Sequence, residues 1–284
     1  DGSWSQPAAK GNVDNLGLFA NSGYKFSDYT TFSFYGRSDN HKVTGFNSTY
    51  KLNITQLFDN FMFGLTHSTG LRNPSLYELY GSNGRTDSYK HVANPNANPE
   101  KSRTNEVSVK YFFNKFITFE NVFYRTFIED ALLYNGNYSG GSGYTNNNSH
   151  LKQDGIESNI FLNKNNHKLT IYNTISSSKK IDGTRQLNRP DSTYGINYKF
   201  KINKTFFGPI NFNYNYKHYG KSFDYAPTIR KVDSTDVMNL SISKKLSFGL
   251  LNFNVTNLLN EKYQRPYGYS QNGRLFNFKL KFDY

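Results

Sequence analysis

The chain has 284 residues, a formal net charge of +13 and no cysteine, enough for one large domain or two ordinary ones without a disulfide framework. Mean hydropathy is −0.73 and no run of about eighteen apolar residues occurs, which excludes a transmembrane helix. Lys and Arg are dispersed with no basic helix or dense run, so the charge reads as solvated surface and argues against a nucleic-acid partner.

The opening DGSWSQPAAK lacks the basic and then apolar stretch of a secretory signal. The expectation is a processed start or a piece of something longer. Thereafter period-two alternation recurs along the chain and helical periodicity does not persist. In chain order, strands are expected at 14–26, 30–38, 44–55, 60–70, 103–113 and 116–133. They continue at 147–162, 168–180, 192–203, 209–220, 234–246, 250–260 and 273–284. The clearest alternations are Tyr194, Ile196, Tyr198, Phe200, Ile202 and then Ile210, Phe212, Tyr214, Tyr216, with Gly, Asn or Lys between them. Segments of ten residues or more exceed the usual soluble strand and suit a tilted crossing of a bilayer.

The connections at 27–29, 56–59, 114–115, 163–167, 204–208 and 247–249 are short. Those at 71–102, 134–146, 181–191, 221–233 and 261–272 are long and interleave with the short ones, with only 39–42 short where a long one is due. Short turns on one side and long loops on the other describe a transmembrane barrel. Tyr24, Phe26, Phe58, Phe61, Phe112, Phe113, Phe116, Phe206, Phe207 and Phe248 lie beside the short turns, as an interfacial aromatic girdle requires. The fold class expected is therefore all-β, a transmembrane antiparallel β-barrel.

The last stretch, QNGRLFNFKLKFDY, alternates Phe276, Phe278, Leu280, Phe282 and Tyr284 with polar residues. A terminal alternating strand with a final aromatic resembles the C-terminal assembly signal of bacterial outer-membrane proteins, which the barrel-assembly machinery reads. Thirteen strands that start and end downward would close with a parallel pair, whereas single-chain bacterial barrels have an even number of antiparallel strands. Residues 1–284 are accordingly expected to be the C-terminal portion of a larger barrel.

Three stretches carry a family resemblance: GLRNPSLYELYG (70–81), NPNANPEKSRTNEVSVKY (94–111) and NVTNLLNEKYQRPYGYSQNGRLFNFKLKFDY (254–284). In this order the sequence is similar to the barrel of TonB-dependent outer-membrane receptors. Tyr267-Gly268-Tyr269 before Gly273-Arg274 is most similar to the cobalamin-receptor branch. The resemblance implies a barrel of about 22 strands with an N-terminal plug in its lumen, of which these would be the later thirteen, with plug, TonB box and early strands absent. It also implies uptake of a scarce small molecule, cobalamin or an iron–siderophore complex, driven by the TonB complex. The implied place is the outer membrane of a Gram-negative bacterium, in contact with membrane lipid and lipopolysaccharide.

Aromatic faces suit flat, partly apolar ligands, so the candidate contacts are loop residues: Arg72, Tyr77, Tyr80, Tyr89 and His91, then Tyr134, Tyr138 and Tyr144, then Tyr267 and Tyr269. The competing reading is that Arg72, Pro74, Tyr77 and Tyr80 fix a loop shape. His41, His67, His91, His150, His167 and His218 show no zinc-ligand spacing, and no local signature joins Ser, His and Asp, so neither metal, cofactor nor catalytic chemistry is expected. Two further readings stand beside a transport receptor. One is an ungated porin-like or adhesive barrel; the other is a soluble carbohydrate-binding β-sandwich.

Overall fold

A computed structural model describes residues 12–81, 91–139, 141–146, 150–205, 208–225 and 228–282. The elements are β1 (Asn15–Lys25), β2 (Thr30–His41), β3 (Gly45–Phe58), β4 (Phe61–Arg72), α1 (Leu76–Tyr80) and β5 (His91–Val92). They continue with β6 (Glu100–Phe112), β7 (Ile117–Glu129), β8 (Leu133–Tyr138), β9 (Gly141–Thr145), β10 (Leu151–Lys164) and β11 (His167–Lys180). The last are β12 (Ser192–Ile202), β13 (Ile210–Tyr219), β14 (Ser222–Tyr225), β15 (Ile229–Val232), β16 (Thr235–Leu246), β17 (Gly249–Thr256) and β18 (Leu275–Phe282).

One sheet of 13 strands runs in the order β1-β2-β3-β4-β6-β7-β10-β11-β12-β13-β16-β17-β18. Each strand in it pairs antiparallel with its predecessor in the sheet, and among the described residues β1 pairs only with β2 and β18 only with β17. This is the expected set of strands, joined as one continuous wall. The other sheets among the described residues have two and three strands, too small to face this wall as the second layer of a sandwich.

Register follows from the alternation. Ile196 lies opposite Ile171 and Tyr216, and Tyr198 opposite Leu169 and Tyr214, so the apolar stripes of neighbouring strands coincide on one face. Asn197 lies opposite Thr170 and Asn215 on the other. A one-residue slip would exchange the two faces across the whole strand. The apolar face is the lipid-facing one and the polar face is lumenal, because polar groups in hydrocarbon are costly.

At one edge the connections are short. Asp59 and Asn165 take positive φ there (39° and 52°), a conformation that Asn and Asp tolerate better than most residues. Rings line this edge: Phe61 stacks on Tyr111 at 4.6 Å, Phe200 on Phe212 at 4.6 Å and Phe248 on Phe282 at 6.0 Å. Phe206 and Phe207 of the expected girdle lie outside the described residues, as does Tyr284 of the terminal strand. Phe276, Phe278, Leu280 and Phe282 share the lipid face of β18.

Strand ends differ from expectation for local reasons. The strand expected at 116–133 stops at Glu129 because Asp130 turns the chain with φ 54°. The one expected at 250–260 stops at Thr256, where Asn257 has φ 51° and bonds inside the next loop. Two lumenal glycines make room for tyrosines on the neighbouring strand. Gly195 lies opposite Tyr172, and a Cβ at Gly195 would sit 2.5 Å from the tyrosine hydroxyl; Gly155 stands in the same relation to Tyr124. A large side chain at either position forces its tyrosine out of the wall.

Candidate functional site: interlocked loops at the outer edge

The long connections at the opposite edge, for which the sequence analysis placed no elements, carry short elements of their own. The stretch 73–99 begins with α1, which is started by a capping box. Ser75 Oγ accepts from Glu78 N at 3.3 Å, and Glu78 Oε2 accepts from Ser75 N at 2.7 Å. Arg72, the last residue of β4, ties this helix to the wall. Its guanidinium donates twice to Glu100 (2.7 and 2.9 Å) and also to Glu78 (3.1 Å), and Glu100 accepts from Leu132 N at 2.7 Å. One arginine thus joins two long loops to two strands. Its side chain reads as a loop-fixing group, already held by two carboxylates.

The two loops also share a sheet, in which β5 pairs with β9 and β9 with β8. Asn94 Nδ2 donates to Tyr144 O at 2.9 Å, and Asn146 Nδ2 donates to Asn98 O at 3.1 Å. Beneath them Leu79, Ala97 and Leu132 form a buried apolar cluster with Tyr80 and Tyr144 against it. Above it the rings connect: Tyr77 stacks on His91 at 3.9 Å, His91 meets Tyr144 at 5.4 Å, and Tyr144 meets Tyr134 edge-on at 5.9 Å. His91 is 4% exposed, whereas Tyr134 is 62% exposed. Burial pushes the His91 imidazole below its ordinary pKa, opposed by a hydrogen bond with the Tyr77 backbone and by the charge of Glu78. The imidazole is thereby held neutral and apolar-like within the ring stack.

A second assembly joins the β14–β15 hairpin to residues 257–274. Arg265 Nη2 donates to Gly220 O at 2.7 Å, and its guanidinium lies 4.8 Å from the ring centre of Tyr219. Tyr267 N donates to Asp224 Oδ2 at 2.9 Å. Burial lowers the pKa of Arg265, opposed by Tyr219 and Tyr263. Between this hairpin and the last loop opens a cleft of about 540 Å³ lined by Asp233, Glu261, Tyr263, Gln264 and Tyr267 among others. Polar and aromatic groups converge there, as in small-molecule sites.

The sequence candidates therefore fall into two groups. Arg72, Tyr77, Tyr80, His91, Tyr134 and Tyr144 belong to the first assembly, and Tyr267 and Tyr269 to the second. Tyr89 lies outside the described residues, and Tyr138 is described only through its backbone in β8. Sequence reasoning missed Glu78, Glu100, Asn94 and Arg265. The spacing Ser75-Leu76-Tyr77-Glu78 carried a readable capping signal; nothing local marked Arg265.

A family model described as the TonB dependent receptor-like β-barrel matches residues 2–258. No curated protein sequence matches. Among solved structures, the siderophore receptor PirA from Acinetobacter baumannii is similar at TM-score 0.74 and 17% identity, over 96% of this chain and 47% of that one. The ferripyoverdine receptor of the Pseudomonas aeruginosa outer membrane is similar at TM-score 0.72 and 12% identity, over 96% and 39%. The copper transporter OprC is similar at 0.73 and 15%, over 96% and 47%. The chain thus spans less than half the length of these neighbours. Strand order, loop asymmetry and the match over most of its residues make this chain a member of the TonB-dependent receptor β-barrel family of the outer membrane.

Proposed function

We propose that the chain forms part of the wall and outer mouth of a receptor that takes up a scarce metal complex, of iron–siderophore type, through the TonB complex. The observation that carries this reading is the interlocking of the long loops, which presents the exposed rings of Tyr77 and Tyr134 on one assembly and of Tyr267 and Tyr269 on the other, with Tyr267 lining a ready-made cleft. Such a preformed aromatic mouth suits capture at low concentration, because little ordering entropy is lost on binding. In this reading a plug fills the lumen, further strands complete a barrel of about 22, and the barrel-assembly machinery inserts the whole through the β18 end. Lys101, Arg103 and Arg125 on the lipid-facing side near the outer edge meet lipopolysaccharide phosphates. Cobalamin is the second ligand class, resting on Tyr267-Gly268-Tyr269.

The test is uptake of radiolabelled ferric siderophores and of cobalamin by cells carrying the receptor, with and without an uncoupler. Saturable uptake that the uncoupler abolishes supports the proposal. Uptake limited only by solute size and indifferent to the uncoupler would return the porin-like reading, and saturable cobalamin uptake alone would replace the siderophore.

A further inference from the structure

Three adjacent wall strands break their lipid-facing apolar stripe near its middle. On β7 the stripe runs Ile117, Phe119, Asn121, Phe123, and on β10 it runs Leu162, Ile160, Ser158, Ile156. On β11 it runs Leu169, Ile171, Asn173, Ile175. The three breaks share one register, because Ser158 pairs with Asn121 on one side and with Asn173 on the other. Elsewhere among the described residues the apolar run of this face is unbroken or, at Ser22, Ser48, Gln56 and Lys244, broken on one strand at a time.

Within this ladder Ser158 Oγ donates to Asn121 Oδ1 at 2.6 Å. The Asn121 amide nitrogen and the Asn173 amide have no hydrogen-bond partner among the described residues. Lipid tails offer neither donors nor acceptors, so these groups are costly where they stand. A headgroup held at Arg125 lies four residues away along β7, about 13 Å, and does not reach them. Beside the ladder opens a shallow groove of about 670 Å³, lined by Val107, Phe123, Ile156 and Ile175, with Arg125 and Asp154 at its outer end. The exposed rings of Phe119, Phe123 and Phe127 stand along β7 next to it.

We propose that this face of β7, β10 and β11 is the seam between two copies of the receptor in the outer membrane. The proposal rests on the place of the wall in the membrane and is independent of the ligand. An amide both donates and accepts, so a surface that carries such a ladder can satisfy a copy of itself. A two-fold axis along the bilayer normal, between β7 and β10, sets Asn121 of each copy against Ser158 of the other. Paired rows climb roughly 3 Å per strand in a wall tilted about 40°, which brings Asn173 of one copy to the depth of Asn105 of the other. The same axis lays the β7 phenyl rings of one copy over the groove of the other. It also brings unlike charges together at the outer end, Arg125 beside Asp154 and Lys152 beside Glu129 of the other copy. Two convex walls touch along only a few strands, which matches a ladder three strands wide.

The experiment uses the full-length receptor in native outer membranes. This chain has no cysteine, so one placed on the seam reports its neighbour once any cysteine elsewhere in the receptor is changed to serine. Ile156→Cys treated with a short bismaleimide should give a band of twice the receptor's mass. Leu240→Cys, on the lipid face of β16, should not. Adding Asn121→Leu and Asn173→Leu to Ile156→Cys should weaken the double-mass band roughly tenfold while the heat-modifiable barrel is kept, since polar groups are the glue between membrane segments. Ser158→Ala, with a loss of about threefold, covers the case in which the double leucine fails to insert. The proposal is overturned if Ile156→Cys gives no such band, or joins only a different protein. It is equally overturned if Leu240→Cys crosslinks as strongly, or if the band survives the ladder changes. Uptake enters none of these outcomes, so the transport reading stands or falls separately.

Discussion

The two outer-loop assemblies reach order by different means. The first, around Tyr77, His91 and Tyr144, is held by a shared small sheet, a capped helix, a buried apolar cluster and the Arg72 ion pairs. In the second, the guanidinium of Arg265 and the carboxylate of Asp224 join the hairpin to the last loop across 45 and 43 residues of sequence, while Asn257 braces that loop from within. Redundant bonding makes the first a platform. The second is an arch with few supports beside an open cleft, and local stability follows the number of such bonds. A mouth built this way keeps one side preformed and leaves the other easier to move.

The contrast can be broken first at Arg72. Arg72→Ala leaves Glu78 and Glu100 mostly buried without their partner and should cost the first assembly about 3 kcal/mol. Hydrogen exchange should quicken in residues 76–80 and 91–97 and remain unchanged in residues 257–274. Arg265→Ala should cost the second assembly about 2 kcal/mol, the worth of its hydrogen bonds to carbonyls, and open 261–272 to protease. The double variant should show additive effects, because the two share no partner; a coupling energy above about 0.5 kcal/mol would mean that the two are one unit.

Smaller effects sharpen the picture. Ser75→Ala removes the α1 cap and should cost about 1 kcal/mol, visible as faster exchange at Glu78 N alone. His91 adds a pH dependence confined to the first assembly. Its folded pKa lies below its unfolded value, so the unfolded loop binds the extra proton as pH falls. Stability is full above the unfolded value of about 6.5 and is lost progressively below it. Protease sensitivity of residues 91–97 should therefore rise between pH 7.5 and 5.5, and His91→Gln should flatten that profile. In the wall, Gly195→Val should expel Tyr172 and reduce the amount of inserted, heat-modifiable barrel.

Legibility followed the range of the interactions. Alternation along each strand is a local property, so the thirteen wall strands and the side on which each connection lies could be read directly. The terminators Asp130 and Asn257 were harder, because Asp and Asn turn the chain only where side-chain bonds reward it. The loop hairpins escaped because β8 and β9 are stabilised by β5, some fifty residues away, and short strands carry little periodicity. Tyr77, His91, Tyr134 and Tyr144 were chosen as aromatic loop residues without any sign that they would meet.

Sequence alone determined the all-β class, the two faces of the wall and the family, because period two, turn chemistry and the motif stretches are written in neighbouring residues. Tertiary structure decided which loops interlock, that Arg72 serves two carboxylates and that Arg265 spans two loops. Those outcomes depend on pairing between strands, which sets residues far apart in sequence within a few ångströms of one another.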